Sequence, residues 1–319
     1  MNTGLRITVF AAALAATFGT AFGVGGSVGE LSPAPKSAAH DGHAAAGHEQ
    51  TSGGHEAAVS PGGLQVSQAG YTLDLKTPLL EAGEKSELRF AVVHDGTGHS
   101  LTAYQREHGK ELHLILASRD LTVYRHLHPT RASDGTWSTP VELSKAGSYR
   151  VFADFKPEGG AAVTLGTDLA AAGTYKPAAL PEHNVTADID GYEVKLKGDL
   201  IPGRARELTL TVTKDGKPVQ DLQPYLGAYG HLVALRSGDL AYLHVHPNGE
   251  PGDGKTQSGP EVSFTATAPS VGAYRLFLDF QHQGKVRTAA FTVHASAAVG
   301  ESGKPSPAQS DTEEAGHAH

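Results

Sequence analysis

The sequence predicts an all-β protein: two tandem immunoglobulin-like β-sandwich domains that follow an N-terminal apolar helix and a disordered histidine-rich linker. Three observations carry this. Short apolar runs such as "ELRFAVV", "LHLILA", "YRVFADF", "ELTLTVT", "HLVAL" and "YRLFLDF" are punctuated by Gly, Pro and Asp and lack helical periodicity. The runs also come twice. "AGEKSELRFAVVHDG" answers "PGRARELTLTVTKDG", "LHLILASRDLTVYRHLHP" answers "HLVALRSGDLAYLHVHP", and "KAGSYRVFADF" answers "SVGAYRLFLDF", which marks a duplicated unit. At 319 residues the chain is too long for one ordinary sandwich and suits two.

Residues 1–28 contain one arginine and then an apolar run from Ile7 to Gly26. They read as a signal peptide or a membrane anchor. The run exceeds the usual core of a cleaved signal and no Ala-x-Ala site closes it, while its length suits one span with Arg6 inside. Either way the rest of the chain is expected outside the cytoplasm, secreted or held at the cell membrane by this segment.

Residues 29–63 are Ala, Gly, Ser, Pro and His with almost no large apolar side chain. They bury too little to offset the entropy of ordering and are expected as a disordered linker. His40, His43, His48 and His55 are strung along it, and the tail, residues 296–319, repeats the composition and ends in His317 and His319. These histidines are either ordinary polar residues of a solvated tether or a low-affinity metal-collecting tract. Between the tails lie sandwich domain 1, residues 64–180, and sandwich domain 2, residues 181–295. In each, a Gly-x-Tyr (Gly147 to Tyr149, Gly272 to Tyr274) opens a strand in the manner of a tyrosine corner, with Val151 and Leu276 where an immunoglobulin cysteine would stand.

Composition removes several chemistries. Cysteine is absent, which excludes disulfides, thiolate metal sites and cysteine nucleophiles, and Met1 is the only methionine, which excludes a thioether site for cuprous copper. With 26 basic against 34 acidic residues, a formal charge of -8 and no basic cluster, nucleic acid is not an expected partner. No His-Glu-x-x-His, Gly-x-Ser-x-Gly, phosphate-loop or dinucleotide fingerprint is present, and an enzyme is not expected. Histidine, with 18 copies, is what remains.

"YRHLHP" at Tyr124 to Pro129 recurs as "YLHVHP" at Tyr242 to Pro247. Two-residue turns at Arg119–Asp120 and Ser237–Gly238 would set His113 opposite His126 and His231 opposite His244. Opposed residues share a sheet face with α-carbons about 4.5–5.5 Å apart, as do residues i and i+2 of one strand. His113, His126 and His128 would then converge, and so would His231, His244 and His246, giving each domain a three-histidine site for Cu(II) or Zn(II).

Asp154 in "FADF" and Asp279 in "FLDF" are either further ligands or carboxylates that orient an imidazole, or else strand-end carboxylates paired with Arg150 or Arg275. His108 and His282 have no counterpart in the other copy and are minor candidates. An odd-numbered loop would turn His113 to the wrong face, and His-Pro can simply end a strand. A three-histidine zinc could in principle be catalytic, yet no general base is identifiable.

These histidine segments resemble a group of exported bacterial proteins that carry tandem or single His-x-His-Pro β domains and are described as secreted or heavy-metal-associated. The similarity covers both central units and is most specific at "LGAYGH" with the His-x-His-Pro that follows, where Tyr229 stands at a position expected to be methionine in many relatives. The resemblance implies metal handling outside the cytoplasm. Two functions follow from the whole reading. One is an extracytoplasmic Cu(II)- or Zn(II)-binding protein, with the metal ion and an envelope protein as partners and binding that weakens as pH falls through about 6.5. The other is a secreted or membrane-tethered structural or adhesive module whose histidines only finish strands.

Overall fold

The structure is a computed structural model that describes residues 61–243 and 245–297, with His246 described by its backbone alone. The N-terminal signal or anchor segment, the linker as far as Ser60, the tail from Ala298 and His244 lie outside the described residues. Among the described residues the regular elements are strands, and no helix is long and apolar enough to cross a membrane.

The first repeat comprises β1 (Ser67–Gln68), β2 (Tyr71–Leu75), β3 (Leu79–Glu81), β4 (Lys85–His94), β5 (His99–Ser100), β6 (Tyr104–Gln105), β7 (Leu112–Ser118), β8 (Tyr124–Leu127), β9 (Thr130–Arg131), β10 (Thr136–Glu142), β11 (Gly147–Pro157) and β12 (Val163–Ala172). The second comprises β13 (Thr186–Ile189), β14 (Tyr192–Lys197), β15 (Ala205–Lys214), β16 (Lys217–Pro218), β17 (His231–Arg236), β18 (Tyr242–Leu243), β19 (Val245–Pro247), β20 (Glu261–Thr267), β21 (Gly272–His282) and β22 (Lys285–Ala295).

In the first repeat one sheet has the order β1-β2-β4-β10-β9 and the other β3-β12-β11-β7-β8; in the second the orders are β13-β14-β15-β20-β19 and β18-β17-β21-β22. This is immunoglobulin topology. β2, β4, β10 and β9 make the A-B-E-D sheet, while β12, β11 and β7 make the G-F-C sheet with β8 added at its edge.

Each repeat packs its own core between its two sheets. Tyr149 and Tyr274 are buried in those cores, and their hydroxyls donate to the carbonyls of Lys145 and Ser270, at 2.7 and 2.8 Å. Both copies therefore close a tyrosine corner. Val151 and Leu276, at the usual cysteine position, are fully buried, so apolar packing stands in for the disulfide.

β7 is buried at every position, which a strand with one solvated face would not be. Leu112, Leu114 and Leu116 point into the first repeat's own core, whereas Ile115 and Ala117 point the other way. There they meet a third apolar cluster in which Leu121, Tyr124 and Phe152 of the first repeat join Val233, Leu235, Leu240 and Phe277 of the second. The two G-F-C sheets thus pack face to face. A near-continuous apolar run is what burial on both faces demands.

The hairpin register differs from expectation by two residues. Ile115, not His113, stands opposite His126, and Leu235 stands opposite Tyr242. Instead of two-residue turns at Arg119–Asp120 and Ser237–Gly238, the loops run over residues 119–122 and 237–240, closed by the Ser118 N–H to Val123 carbonyl and Arg236 N–H to Ala241 carbonyl bonds. A two-residue hairpin turn favours Asn or Gly in left-handed conformations.

Here Leu121 and Leu240 take positive φ, 56° and 62°, and turn inward to exposures of 1% and 0%. A left-handed leucine costs about 1–2 kcal/mol, and burying its side chain contributes about 1.5–3 kcal/mol, so the conformation is offset. Because the shift is even, the histidines keep their face.

The last residues of the expected linker are packed. Gly62 bridges Tyr242 of the second repeat, while the Gly63 N–H donates to Thr164 and the Gly63 carbonyl accepts from Arg150. A β-carbon on Gly63 would lie 2.4 Å from the Phe152 ring, so only glycine lets the backbone come this close.

Candidate metal centre

Strand alternation aims His113 and Ile115 to the same side of β7, and His126 follows Tyr124 on the same side of β8. Pro129 then ends β8, and the chain crosses to β9 of the other sheet. His128 falls at that crossing. His113, His126 and His128 each offer a ring nitrogen, and the three atoms lie within 4.8 Å of one another.

The hydrogen bonds fix which nitrogens are free. His113 Nε2–H donates to the Glu107 carbonyl at 3.3 Å. His126 Nδ1–H donates to Asp279 Oδ2 at 2.9 Å. Carbonyl and carboxylate oxygens only accept, so each bond selects a tautomer. The nitrogens left over, His113 Nδ1 and His126 Nε2, face each other at 3.2 Å. Two lone pairs at that distance repel, and a proton or a metal ion shared between them relieves the repulsion. With metal–nitrogen bonds of about 2.0–2.1 Å they would subtend roughly 100–105° at the ion, close to tetrahedral. His128 adds a buried Nε2 with no hydrogen-bond partner among the described residues, and its ring centroid lies 4.8 Å from that of His126 and 5.6 Å from that of His113.

The expected site of the second repeat needs His244, which lies outside the described residues, while other residues of that repeat reach the histidines of the first. Asp279, 2% exposed, does not serve its own register partner His231 but His126 of the first repeat, and it also accepts from Tyr124 of the first repeat and Thr288. The carboxylate that orients an imidazole is thus present, but it acts across the repeats. Neither aspartate pairs with its neighbouring arginine as the other expectation had it: Arg150 binds Asp168 and Arg275 binds Thr292.

Asp154 stands beside His113 in the ladder and accepts from Thr164. His231 lies with its ring 6.1 Å from His113 and 6.0 Å from His126. His244 lies outside the described residues, and the backbone of His246 pairs with Thr265. His108 is exposed beside His231 and His113. His282 sits elsewhere, buried between Tyr192 and Asp221.

Burial, aided by the neighbouring His126, lowers the His113 imidazole to about 3 and those of His128 and His231 to about 4. At neutral pH all three are uncharged donors of lone pairs. Burial pushes the Asp154 carboxyl up to about 6. The three histidines take up protons more readily unfolded than folded, so their share of stability is complete above pH 6.5 and is lost as pH falls towards 4. Asp154 has the opposite sign between pH 4 and 6, one group against three. Urea midpoints of the metal-free protein are therefore expected to fall from pH 7 to pH 5. Triple substitution of His113, His128 and His231 by glutamine should flatten that slope.

A cleft of about 400 Å³ opens beside the histidines, with Glu107 and Glu111 from the first repeat and Glu250 from the second on its walls. Sequence reasoning gave no place to the Glu107 carbonyl or to the meeting of the repeats. The signal for the meeting was the unbroken apolar stretch of β7; a backbone carbonyl leaves no signal.

None of the curated proteins matches the sequence. Among solved structures, the Escherichia coli adhesin FdeC is similar at 15% identity and a TM-score of 0.23, over 72% of this chain and 65% of its own. InvD of Yersinia pseudotuberculosis is similar at 13% identity and a TM-score of 0.24, over 76% of this chain and 62% of its own. This chain spans less than two thirds of either, and at such TM-scores the likeness carries no functional inference. A family model described as "Domain of unknown function (DUF8832)" matches residues 65–173 and again residues 187–297. The two matches fall on the two sandwiches and together cover more than half of the chain, which therefore belongs to the DUF8832 family as a tandem pair.

Proposed function

We propose that the chain binds one divalent metal ion at His113, His126 and His128, with Asp279 of the second repeat orienting His126. The supporting observation is the 3.2 Å approach of His113 Nδ1 to His126 Nε2 while both remaining ring nitrogens are committed to acceptors. Imidazole-only donors suit Zn(II) and Cu(II). The spacing favours Zn(II), since two cis ligands of tetragonal Cu(II) would sit nearer, at about 2.8–2.9 Å for bonds of about 2.0 Å. We assign the protein to the outside of the cytoplasm on its N-terminal apolar run, with an envelope protein that delivers or receives the ion as the implied partner.

Calorimetric titration of the full chain with Zn(II) tests this. Substituting His113, His126 and His128 together by alanine should abolish the tightest phase and lower the stoichiometry by about one ion, leaving weaker binding by the histidine tracts. An unchanged tight phase would reject the proposal. A second reading, a structural or adhesive interaction module, draws on the tandem immunoglobulin-like architecture of this chain itself. It leaves the oriented histidines without a role, and the same titration separates the two.

A further inference from the structure

Three histidines leave a zinc ion one coordination position short, and such an open position belongs to catalytic sites, whereas structural sites are closed by a fourth protein ligand. The second repeat holds a histidine beside that place, outside the 4.8 Å cluster of the other three. His231 Nε2–H donates to the Tyr225 carbonyl at 2.9 Å, which leaves Nδ1 with its lone pair free. The arrangement repeats that of His113 on Glu107, where the carbonyl is likewise six residues upstream.

The carbonyls belong to matching turns. Glu107 and Lys110 bridge around His108 and Gly109, and Tyr225 and Ala228 around Leu226 and Gly227, with all four central residues at positive φ. The two turns abut: a β-carbon on Gly227 would lie 3.5 Å from the His108 α-carbon. The His231 ring stands 6.0 Å from His126 and 6.1 Å from His113, against 5.4 Å between those two rings, so it has to swing inward to reach an ion held by the other three.

Resting on the metal-binding reading above, we infer that Nδ1 of His231 is the fourth ligand, and that the ion is a fastener which ties the second repeat to the first. Asp279 already reaches across the same boundary to His126, so occupancy of the site and docking of the repeats form one equilibrium. Any ligand that binds the docked arrangement better stabilises it by mass action. The ion has no open position for chemistry in this arrangement, in keeping with the lack of any catalytic signature in the sequence.

The test uses the full chain with one equivalent of Zn(II), read by X-ray absorption at the zinc edge and by thermal melting. The wild-type protein should show four imidazoles on zinc and His231→Gln three, with an affinity at least about tenfold lower and a smaller rise in melting temperature on adding zinc. His108→Ala should keep four. Three imidazoles in the wild-type protein, four retained in His231→Gln, or a loss of one in His108→Ala would each overturn the fastener while leaving a metal site in place. The wild-type count decides even if His231→Gln does not fold. Absence of tight zinc binding sensitive to His113, His126 and His128 would instead remove the metal reading itself.

Discussion

His126→Ala is expected to weaken Zn(II) binding by on the order of a hundredfold or more. Structural zinc sites are worth roughly 10 kcal/mol at the low end, which spread over three or four imidazoles is about 3 kcal/mol for each. His126 is the ring on which the centre turns. Its Nε2 faces His113 and its Nδ1 is held by Asp279, with side-chain exposures of 6% and 3% for His126 and Asp279. Asp279→Asn keeps the ring and replaces one carboxylate oxygen by an amide, which can present a donor to Nδ1 and select the wrong tautomer. That loss should be smaller, about 10–100-fold, the usual cost of disturbing a ligand's hydrogen-bond partner. Competition with a chromophoric chelator measures both. Affinity within threefold of wild type for His126→Ala would remove this histidine from the site.

Phe277→Ala should destabilise the protein by about 3–5 kcal/mol. The Phe277 ring is 4% exposed and stacks on Tyr124 of the other repeat with centroids 4.1 Å apart and planes within 6° of parallel. Aromatic pairs add about 0.5–1.5 kcal/mol beyond the area they bury. Tyr124 also donates to Asp279, so loosening the stack should reach the proposed metal site as well. Urea unfolding measures the stability, with Val271→Ala, at a residue 60% exposed, as a near-neutral control. A loss below about 1 kcal/mol would mean that the two repeats are hardly held together by their apolar contact.

Much of the architecture was legible because it depends on pattern. Duplicated apolar runs and punctuating glycines gave two sandwiches, and Gly-x-Tyr gave the corners that Tyr149 and Tyr274 close. The gathering of His113, His126 and His128 was legible through parity alone: the ladder was misplaced by two residues, and an even error leaves every side chain on its own face.

The pairing itself was not legible, since it depended on leucines at 121 and 240 adopting a backbone shape that leucine rarely takes, for the sake of contacts far away in sequence. The sharing of the site was hidden for a similar reason. Opposition of His231 and Asp279 can be read from one sheet, but the bond from Asp279 to His126 joins residues 153 positions apart, and nothing local encodes it.

The glycines at 62 and 63 tie the entering chain to both repeats at once. Tension carried by the chain upstream of Pro61 arrives at a point stitched to Tyr242 on one side and to Thr164 and Arg150 on the other. A pull there would meet contacts with both sandwiches together, before either is loaded alone.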